Sequence, residues 1–554
     1  MLLLIGVCAL TFLAGLGQPA ITDSDEGFYA ESAREMVESG DWLTPHFNYA
    51  YRFEKPVLYY WLAAGAYRLV GVGEAAARLP SALAGLGLTL LVFLAARRWF
   101  DDATGLLAGL IAATSFGHVA MARQALPDLT LAFLVTLATW CALVAALDPP
   151  RRRGALAADR RRRWLVVAAV AAAGGVLAKG PVGLALPVLV VLPLAGWERL
   201  AGRSRWHLRR AHLVAAALAF LAAAAPWFLG MTVVHGVDYL DRFFVTENLD
   251  RFATARFNDP RPWWYYLPIA IGGMLPWSPY MLLWLPALAR FARTRRVDPA
   301  TVRLLWWAVA PLLFYTLAVG KQPRYILPMV GPLAVLLAAT LRERLGRRSS
   351  RDPLLTACTT LAGAVLVLLG ILAHRARPLL VDWDALWTAA AAGAFWTAGI
   401  GVCLTVVRHR WTPAALTAAA IVATLVTYCV VLASPGPAPV ERMASLIAAS
   451  REGGERYGRH AVFARNLVFY TRTAFVELPA LQAASDFLRA PARVLCVLRV
   501  QDVDRLEAQG VPLERLGQVR YLDTGGLNLR TLLDPRPDHL QRVVLVANRR
   551  TSAP

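Results

Sequence analysis

The stretch LLLIGVCALTFLAGLGQPAITDSDEG, residues 2–27, places an uncharged segment directly before an acidic cluster. Residues 2–17 are about long enough to cross a bilayer, so the carboxylates of Asp23, Asp25 and Glu26 arrive close to a membrane surface. A carboxylate is costly there unless it is hydrated, paired or functional. Because no basic region precedes the apolar segment, the sequence predicts a retained helix rather than a cleaved signal peptide.

The composition places the chain among polytopic membrane proteins. It has 554 residues, of which 57% are hydrophobic, and its mean hydropathy is +0.47. The net charge of +21 alone would suggest nucleic acid as a partner. Its arginines, however, cluster in short loops between apolar segments, so we expect membrane lipids and no nucleic acid. The six cysteines show neither metal-ligand spacing nor a disulfide framework.

The apolar segments predict about thirteen membrane-spanning helices, at about twenty apolar residues for each crossing. Their approximate ranges are 2–17, 80–97, 104–120, 127–147, 164–178, 181–198, 210–231, 265–288, 302–319, 324–340, 354–373, 385–407 and 411–433. Arginine-rich loops recur on every second turn of the chain, and the positive-inside rule places that face in the cytoplasm. We therefore expect a polytopic α-helical membrane protein whose remaining loops face outward.

One segment, residues 57–72, is ambiguous. If it spanned the membrane, the loop that carries Asp25 would lie on the face opposite Asp128. We favour an interfacial or re-entrant helix, and the periodicity of residues 27–39 also predicts an interfacial helix. The predicted membrane domain therefore covers residues 1–434, with outer interfacial helices at about 22–79 and an outer loop at about 232–264.

The character of the chain changes after residue 434. Residues 435–554 combine helical patterns at about 438–452, 479–488 and 500–508 with β-rich runs such as 492–498 and 543–546. This mixture predicts a soluble α/β domain on the outer side. It contains no glycine-rich nucleotide loop and no metal-binding pattern, so the sequence assigns it no chemistry.

The charged residues near the predicted outer face are the candidates for chemistry. The chain has three lysines, Lys55, Lys179 and Lys321, and all three fall near helix ends on that face. Their location has two explanations. Either the long side chains extend to the membrane interface, or the three lysines form a cationic rim that binds a lipid phosphate. Asp25, Glu26 and Asp128 are explained either as helix-capping acids or as carboxylates that orient an acceptor or stabilise an oxocarbenium-like centre.

The outer loop after the seventh predicted span alternates aromatic and charged residues. Within it, Arg242 is a further candidate for phosphate binding. His235 together with Glu54 forms a candidate zinc site, although two ligands make a weak site. The aromatic run at residues 263–266 is typical of a belt at the membrane interface.

Several motifs resemble those of the aminoarabinose (4-amino-4-deoxy-L-arabinose) lipid A transferase family of GT-C glycosyltransferases. They are DEGFYAE at 25–31, GDWL at 40–43, FEKP at 53–56, YW at 60–61, FF at 243–244, EN at 247–248, RF at 251–252 and GKQPRYILP at 320–328. The resemblance covers essentially the whole membrane part and is weak over the C-terminal domain. The earlier motifs are shared with related lipid–sugar transferases, so they specify the mechanism better than the sugar.

The resemblance implies a GT-C fold and transfer of aminoarabinose from undecaprenyl phosphate to a lipid A phosphate group at the periplasmic face of the bacterial inner membrane. It also implies a role in polymyxin resistance and no required metal cofactor, and we expect inversion at the sugar carbon. Asp25 corresponds to the family's catalytic carboxylate, and Lys55 to its contact with the carrier phosphate. The remaining candidate substrate contacts are Arg242, Arg324, Lys321, Tyr29 and Tyr315. We expect a monomer.

Two other functions stay open on the sequence alone. A related GT-C enzyme would move a different polyprenyl-linked sugar, such as mannose, to protein or lipid. A lipid or solute transporter is the non-enzymatic alternative. Transporters usually show internal repeats and ionisable residues at the bilayer midplane, whereas this chain gathers its ionisable residues at one face.

Overall fold

The computed structural model describes residues 1–147, 155–202, 209–254, 260–286, 288, 298–346, 352–380, 383, 385–433, 436–522, 531 and 533–548. The part before residue 434 is mainly helical. Its helices in chain order are α1 (Leu2–Leu13), α2 (Asp25–Ser39), α3 (Leu58–Val70), α4 (Glu74–Trp99), α5 (Asp102–Thr114), α6 (Phe116–Ala122), α7 (Pro127–Leu147), α8 (Ala155–Lys179), α9 (Val182–Leu200), α10 (Arg210–His235), α11 (Asp238–Asp241), α12 (Arg251–Ala253), α13 (Tyr266–Gly273), α14 (Pro299–Leu317), α15 (Val330–Leu345), α16 (Pro353–Arg375), α17 (Ala385–Leu404) and α18 (Thr412–Val426).

Shorter helical turns extend several of these helices. A π-helical stretch, Arg242–Asp250, joins α11 to α12, and a 3-10 turn, Pro323–Met329, leads into α15. Within the described residues, nine helices are long and apolar enough to cross a membrane, or ten if the bent pair α5 and α6 forms one span. The chain is therefore a multi-pass membrane protein.

The structure does not confirm the count of thirteen spans. Helix α1 ends at Leu13, and the chain then enters an extended conformation at Ala14, so the described helix is shorter than a crossing. The predicted span at 265–288 divides into α13 and a 3-10 turn, Ser278–Trp284. Pro276 and Pro279 lie at this division, where their missing N–H groups interrupt helical hydrogen bonding.

Helices α2 and α3 form a connected pair, and the start of α2 lies against α4, the helix that follows α3. They are joined by a two-stranded hairpin of β1 (His46–Phe47) and β2 (Ala50–Tyr51). Helix α3 has 13 residues, or about 20 Å of helix, which is too short to cross the bilayer. Glu26, in the first turn of α2, pairs with Arg78 of α4, at 2.8 Å between Oε1 and Nε. The interfacial location of residues 57–72 stays a prediction, with which the length of α3 is compatible.

The charged face of α2 is buried. Glu31, Arg34 and Glu35 are 0%, 5% and 2% exposed, although an interfacial helix normally turns such residues to water. The Arg34 guanidinium donates to Glu31 at 2.7 Å and to the Tyr49 hydroxyl at 3.1 Å, and Tyr49 in turn donates to the carbonyl of Arg472 at 3.1 Å. The hairpin residue Tyr49 therefore links Arg34 of α2 to the C-terminal domain.

The C-terminal domain is built on a five-stranded sheet. Its elements are α19 (Pro439–Ser450), β3 (Tyr457–Arg459), α20 (Leu467–Thr471), β4 (Val476–Glu477), α21 (Leu481–Leu488), β5 (Leu495–Arg499), α22 (Val500–Ala508), β6 (Leu513–Tyr521) and β7 (Gln541–Asn548). The strand order is β4-β3-β5-β7-β6, with β3 parallel to both neighbours and β7 antiparallel to both of its own. Separate apolar clusters fill the two faces of the sheet.

The domain docks on the start of α2 through backbone groups. The Asp23 carboxylate accepts hydrogen bonds from the amides of Ala464 and Arg465, at 2.9 and 2.7 Å. The Tyr470 hydroxyl accepts one from the amide of Ile21 at 2.8 Å. At Gly27 a Cβ atom would lie 2.4 Å from the carbonyl oxygen of Arg465, so only glycine permits this approach.

Candidate active site

A cavity of about 370 Å³ lies where the ends of several helices meet. Helix α2 supplies Asp25 from its first turn, and α7 supplies Asp128 from its own first turn. Helix α8 ends there at Lys179. The cavity is lined by Asp25, Tyr29, Lys55, Asp128, Lys179, Pro181, Val182, Ala185, Phe244, Glu247, Asn248, Leu249, Arg251, Phe252, Phe314, Tyr315, Ala318, Gly320, Arg324 and Tyr325.

One chain of ion pairs crosses the cavity wall. Arg324 pairs with the Asp25 carboxylate and also approaches Asp128, with 3.3 Å between Nε and Oδ2. Asp128 pairs in turn with the Lys179 ammonium, which lies 4.5 Å from the centre of the Tyr325 ring. Two carboxylates and two cations from four separate elements are therefore held in one alternating network.

The sequence positions these groups through local conformation. Ser24 begins α2 because its hydroxyl accepts a hydrogen bond from the amide of Glu26, which sets Asp25 at the first helical position. After Lys179 the chain turns sharply at Gly180, whose φ of +90° suits glycine. This turn lets α8 end and α9 begin beside the cavity.

A second ion-pair network comes from the loop before α3 and the segment after α10. Arg251 donates to Glu247 at 2.8 Å, and the Lys55 ammonium lies 3.9 Å from the same carboxylate. Across both networks, the cavity lining contains four cationic and three carboxylate side chains, which leaves one formal positive charge. A singly charged phosphodiester matches that excess.

Asp25 and Lys55, which precede the membrane-spanning helices of the site, have pKa values that differ from their ordinary ones. Burial opposes ionisation of Asp25, but the positive charges of Arg324 and Arg465 outweigh it, so the pKa of this carboxyl lies below its ordinary value. Burial lowers the pKa of Lys55 to about 7, and the neighbouring Arg251 acts in the same direction while Glu247 opposes both. An anion that enters the cavity would favour the charged form of Lys55.

An apolar groove of about 520 Å³ also reaches Arg324. It runs between α6, α13 and the segment that leads into α15. Gly117 and Gly273 face each other across its floor, where a Cβ atom on Gly117 would lie 3.1 Å from the Gly273 Cα. Except near Gln322 and Arg324, the lining is apolar, so the groove suits a hydrocarbon chain whose polar end reaches the cavity.

The predicted residues separate into those that line the cavity and those that do not. The residues that line it are Asp25, Asp128, Lys55, Arg324, Tyr29 and Tyr315. Glu26 does not, since it is fully buried between Arg78, Thr22 and the amide of Ala125. Its geometry is that of a structural ion pair and not that of a group in contact with substrate.

Two predicted phosphate ligands also lie outside the cavity lining. The Lys321 ammonium donates to the carbonyl oxygens of Ala318 and Arg261, at 2.6 and 3.2 Å, and so holds together the backbone beside the cavity. Arg242 is exposed, and its guanidinium lies 5.6 Å from the centre of the Phe53 ring. Arg251, nine residues further along the same helical segment, occupies the position in the cavity that the sequence suggests for Arg242.

The candidate zinc site receives no support from the geometry. His235 has its Nε2 atom 2.8 Å from the Thr44 hydroxyl and packs against the rings of Tyr51 and Phe53. Glu54 lies 3.6 Å from the Arg52 guanidinium. Within the described ranges, no group of three or more His, Cys, Asp or Glu side chains is arranged to hold a metal ion. The residues present do not fit a zinc centre.

The sequence does not single out Glu247, Arg251 or Tyr325 as site residues. Each lies within a family motif, but nothing in its local pattern distinguishes it from neighbours that point elsewhere. The helical spacing of Glu247 and Arg251, four residues apart, is the one available signal, because such a pair shares a helix face. The sequence assigns Lys179 to a general cationic rim, whereas the structure pairs it directly with Asp128.

Comparison with known proteins gives one family model and many relatives. The model described as dolichyl-phosphate-mannose-protein mannosyltransferase matches residues 20–240. An undecaprenyl phosphate-α-4-amino-4-deoxy-L-arabinose arabinosyl transferase of Aeromonas salmonicida is 34% identical over 414 residues, which cover 74% of this chain and 73% of the relative. A transferase of the same name from Pseudomonas aeruginosa is 37% identical over 350 residues, covering 62% and 60%.

Among solved structures, the chain resembles ArnT from Cupriavidus metallidurans bound to undecaprenyl phosphate. The TM-score is 0.73 at 24% sequence identity, and the match covers 100% of this chain and 98% of the other. At this identity the likeness establishes a shared fold, which extends through the C-terminal domain.

Proposed function

Because the chain belongs to the family of undecaprenyl phosphate-4-amino-4-deoxy-L-arabinose arabinosyl transferases, we propose that it moves this aminosugar from undecaprenyl phosphate to a phosphate group of lipid A. It is a polyprenyl-phosphate-dependent glycosyltransferase with the GT-C fold. The observation that carries the proposal is the cavity in which Asp25 and Arg324 meet two further carboxylates and three further cations.

The donor fits the charged cavity together with the apolar groove beside it. Its carrier phosphate would lie among Lys55, Arg251 and Arg324, where the excess positive charge offsets one negative charge. Its polyprenyl chain would occupy the apolar groove that ends at Arg324. The ammonium group of the aminosugar would find carboxylates in the same cavity, which explains why a phosphate site also contains acids.

The reaction is a direct displacement with inversion at the sugar. An oxygen of the acceptor phosphate attacks the anomeric carbon, while the bond from that carbon to the carrier oxygen breaks. The electron pair stays with the carrier phosphate, whose added negative charge the surrounding cations stabilise. An acceptor phosphate monoester already carries about −1.5 to −2 at pH 7, so it needs little help from a base. Asp25 therefore orients the reacting groups or binds the sugar's ammonium.

The chemistry is proposed to take place on the periplasmic side of the bacterial inner membrane. Helix α4 ends with Arg97 and Arg98 at the end remote from the site, and α8 begins with a run of arginines before it reaches Lys179. The positive-inside rule places such arginines in the cytoplasm, so the opposite helix ends face outward. Modification of lipid A there would lower its negative charge and give resistance to polymyxin and other cationic peptides.

The test uses a bacterial strain without its own aminoarabinose transferase. The wild-type chain should add the mass of aminoarabinose to lipid A, whereas Asp25→Asn should lower the rate by at least about a hundredfold, as is usual when one preorganised group is lost. Asp241→Asn, which changes an exposed acid outside the cavity lining, should behave as the wild type.

The mass spectrum also distinguishes the alternatives. If Asp25→Asn modified lipid A at nearly the wild-type rate, Asp25 would be excluded from the mechanism. Addition of a hexose to lipid or protein, with no aminoarabinose on lipid A, would indicate a different polyprenyl-linked sugar. That alternative agrees with the mannosyltransferase family model over residues 20–240.

A further inference from the structure

The C-terminal domain presents one loop to the active-site end of α2. This loop, residues 460–466, follows β3, the strand of the sheet that has parallel neighbours on both sides. The carboxyl ends of parallel strands are the usual location of binding sites in α/β domains. Here that edge is turned toward Asp25 by the hydrogen bonds between Asp23 and the amides of Ala464 and Arg465.

The loop is held in a conformation that its residues do not favour. Ala461 and Phe463 have φ values of +57° and +47°, in the left-handed region that side chains with a Cβ atom rarely adopt. Arg499 fixes the carbonyl of Ala461 with a hydrogen bond of 3.2 Å, and the amide of His460 donates to Val497 at 3.0 Å. Such strain persists where surrounding contacts hold the backbone, and it is common at functional sites.

Two arginines from different domains share one aromatic ring beside Asp25. The guanidinium carbon of Arg465 lies 5.2 Å from the centre of the Phe28 ring, and that of Arg52 lies 4.0 Å from the same ring. Phe28 is three residues after Asp25 and thus on the same face of α2. Within the part of the chain that the structure describes, no carboxylate lies within 4.0 Å of the Arg465 guanidinium, so no salt bridge neutralises its positive charge.

A transfer between two phosphates requires two anion sites. The cations that line the cavity serve the carrier phosphate, and neither Arg52 nor Arg465 lines it. We propose that Arg465 and Arg52, stacked on Phe28, form a separate anion subsite that binds the phosphate monoester of the acceptor glycolipid beside Asp25. The C-terminal domain is then a part of the active site. This inference rests on the proposed function.

Steady-state kinetics of the full chain in lipid nanodiscs test the subsite. Arg465→Gln should raise the KM for bisphosphorylated lipid A by about tenfold or more, the effect expected when a charge-assisted hydrogen bond is lost. The KM for the donor should stay within about twofold of wild type, and Arg465→Lys should restore part of the acceptor KM. Arg515→Gln, which changes an exposed arginine of the same domain bound to Asp504 and Glu507, is the matched control.

An unchanged acceptor KM in Arg465→Gln would overturn the proposal. Equal losses for donor and acceptor, with lower thermal stability, would assign Arg465 a purely structural role and overturn it as well.

Equilibrium binding separates this inference from the proposed function. Donor-free wild-type protein should bind bisphosphorylated lipid A more tightly than dephosphorylated lipid A, and Arg465→Gln should lose that preference. If the wild type shows the preference but transfers no aminoarabinose, the proposed function fails while the subsite stands. If the wild type transfers aminoarabinose but Arg465→Gln keeps the full preference for bisphosphorylated over dephosphorylated lipid A, the subsite fails while the function stands.

Discussion

At the scale of single residues, the composition of the site depends on which of two residues of like charge points its side chain into the cavity. Asp25 lines it, whereas Glu26, the next residue of α2, is buried against Arg78. Successive residues of a helix point about 100° apart, so adjacent carboxylates meet different surroundings. Similarly, Arg251 lines the cavity and Arg242 does not, because their side chains point in different directions. The position of a charged residue in the sequence therefore does not show whether it lines the cavity, because the direction of its side chain decides this.

The lowered pKa of Lys55 predicts a pH dependence of donor use. Because this pKa is about 7 in the free protein, the ammonium is charged below pH 7 and loses its proton above it. The kcat/KM for the donor should therefore fall above pH 7, by up to about tenfold for each pH unit. Lys55→Arg keeps its charge, so its profile should lack this fall between about pH 7 and 9.

The wild type and Lys55→Arg use the same acceptor, whose own titration therefore affects both profiles equally. If kcat/KM of Lys55→Arg fell with pH in parallel with the wild type, the dependence would belong to another group.

Among the secondary-structure elements, α2 links the membrane domain to the C-terminal domain. One end of it carries Asp25, and Glu26 joins it to α4 through Arg78. Its Arg34 bonds to hairpin residue Tyr49, which in turn bonds to the C-terminal domain. A position of α2 can therefore affect the catalytic group and the docked loop together. Gly27 is the closest point of contact, because it leaves space for the carbonyl of Arg465.

Gly27→Ala should separate α2 from the loop at residues 460–466. The added Cβ atom would lie 2.4 Å from a backbone oxygen, so the loop must move, at a cost of about 1–3 kcal/mol in docking. We expect faster proteolysis of the C-terminal domain and a higher KM for the acceptor.

Gly65→Ala is the matched control, since a Cβ atom added to this glycine of α3 would meet no described atom of another element within 4 Å. That change should be neutral or slightly stabilising, because alanine favours a helix more than glycine does. If Gly27→Ala left both proteolysis and acceptor KM unchanged, the tight docking of this loop would be wrong.

Across the whole molecule, antiparallel helices bring the site together at one end. Helix α7 begins there with Asp128, α8 ends there with Lys179 and α9 begins there after Gly180. Helix α10 likewise ends at His235, close to Thr44 and Phe53. The remote ends of α4 and α8 carry clustered arginines, so the arrangement that assembles the site also places these arginines at the opposite end of the helices.

Cysteine labelling tests the proposed orientation, in a variant that lacks the six native cysteines. Val237→Cys places a thiol at a residue 70% exposed just after α10, and it should react with a membrane-impermeant reagent from the periplasm. Ala201→Cys places one at the exposed remote end of α9, and it should not react. Labelling of Ala201→Cys alone would reverse the orientation and move the site to the cytoplasmic side.

Local sequence patterns were sufficient to predict the helical membrane architecture, the C-terminal α/β segments and the family. These features follow from the length of the apolar runs, the periodicity of short segments and the motifs around Asp25 and Lys55. The helices predicted at 438–452, 479–488 and 500–508 lie close to the observed ones, because each repeats its apolar residues with a helical period.

Which charges meet across the site is decided by the tertiary structure when the partners are distant in the chain. The pairs of Asp25 with Arg324 and of Asp128 with Lys179 join residues 299 and 51 positions apart, and no local pattern encodes such partners. The surroundings of Arg34 in α2 have the same origin, because its partner Tyr49 bonds to a residue more than 400 positions later in the chain. Helix propensity and hydropathy are local, whereas ion pairing and docking depend on how distant elements pack.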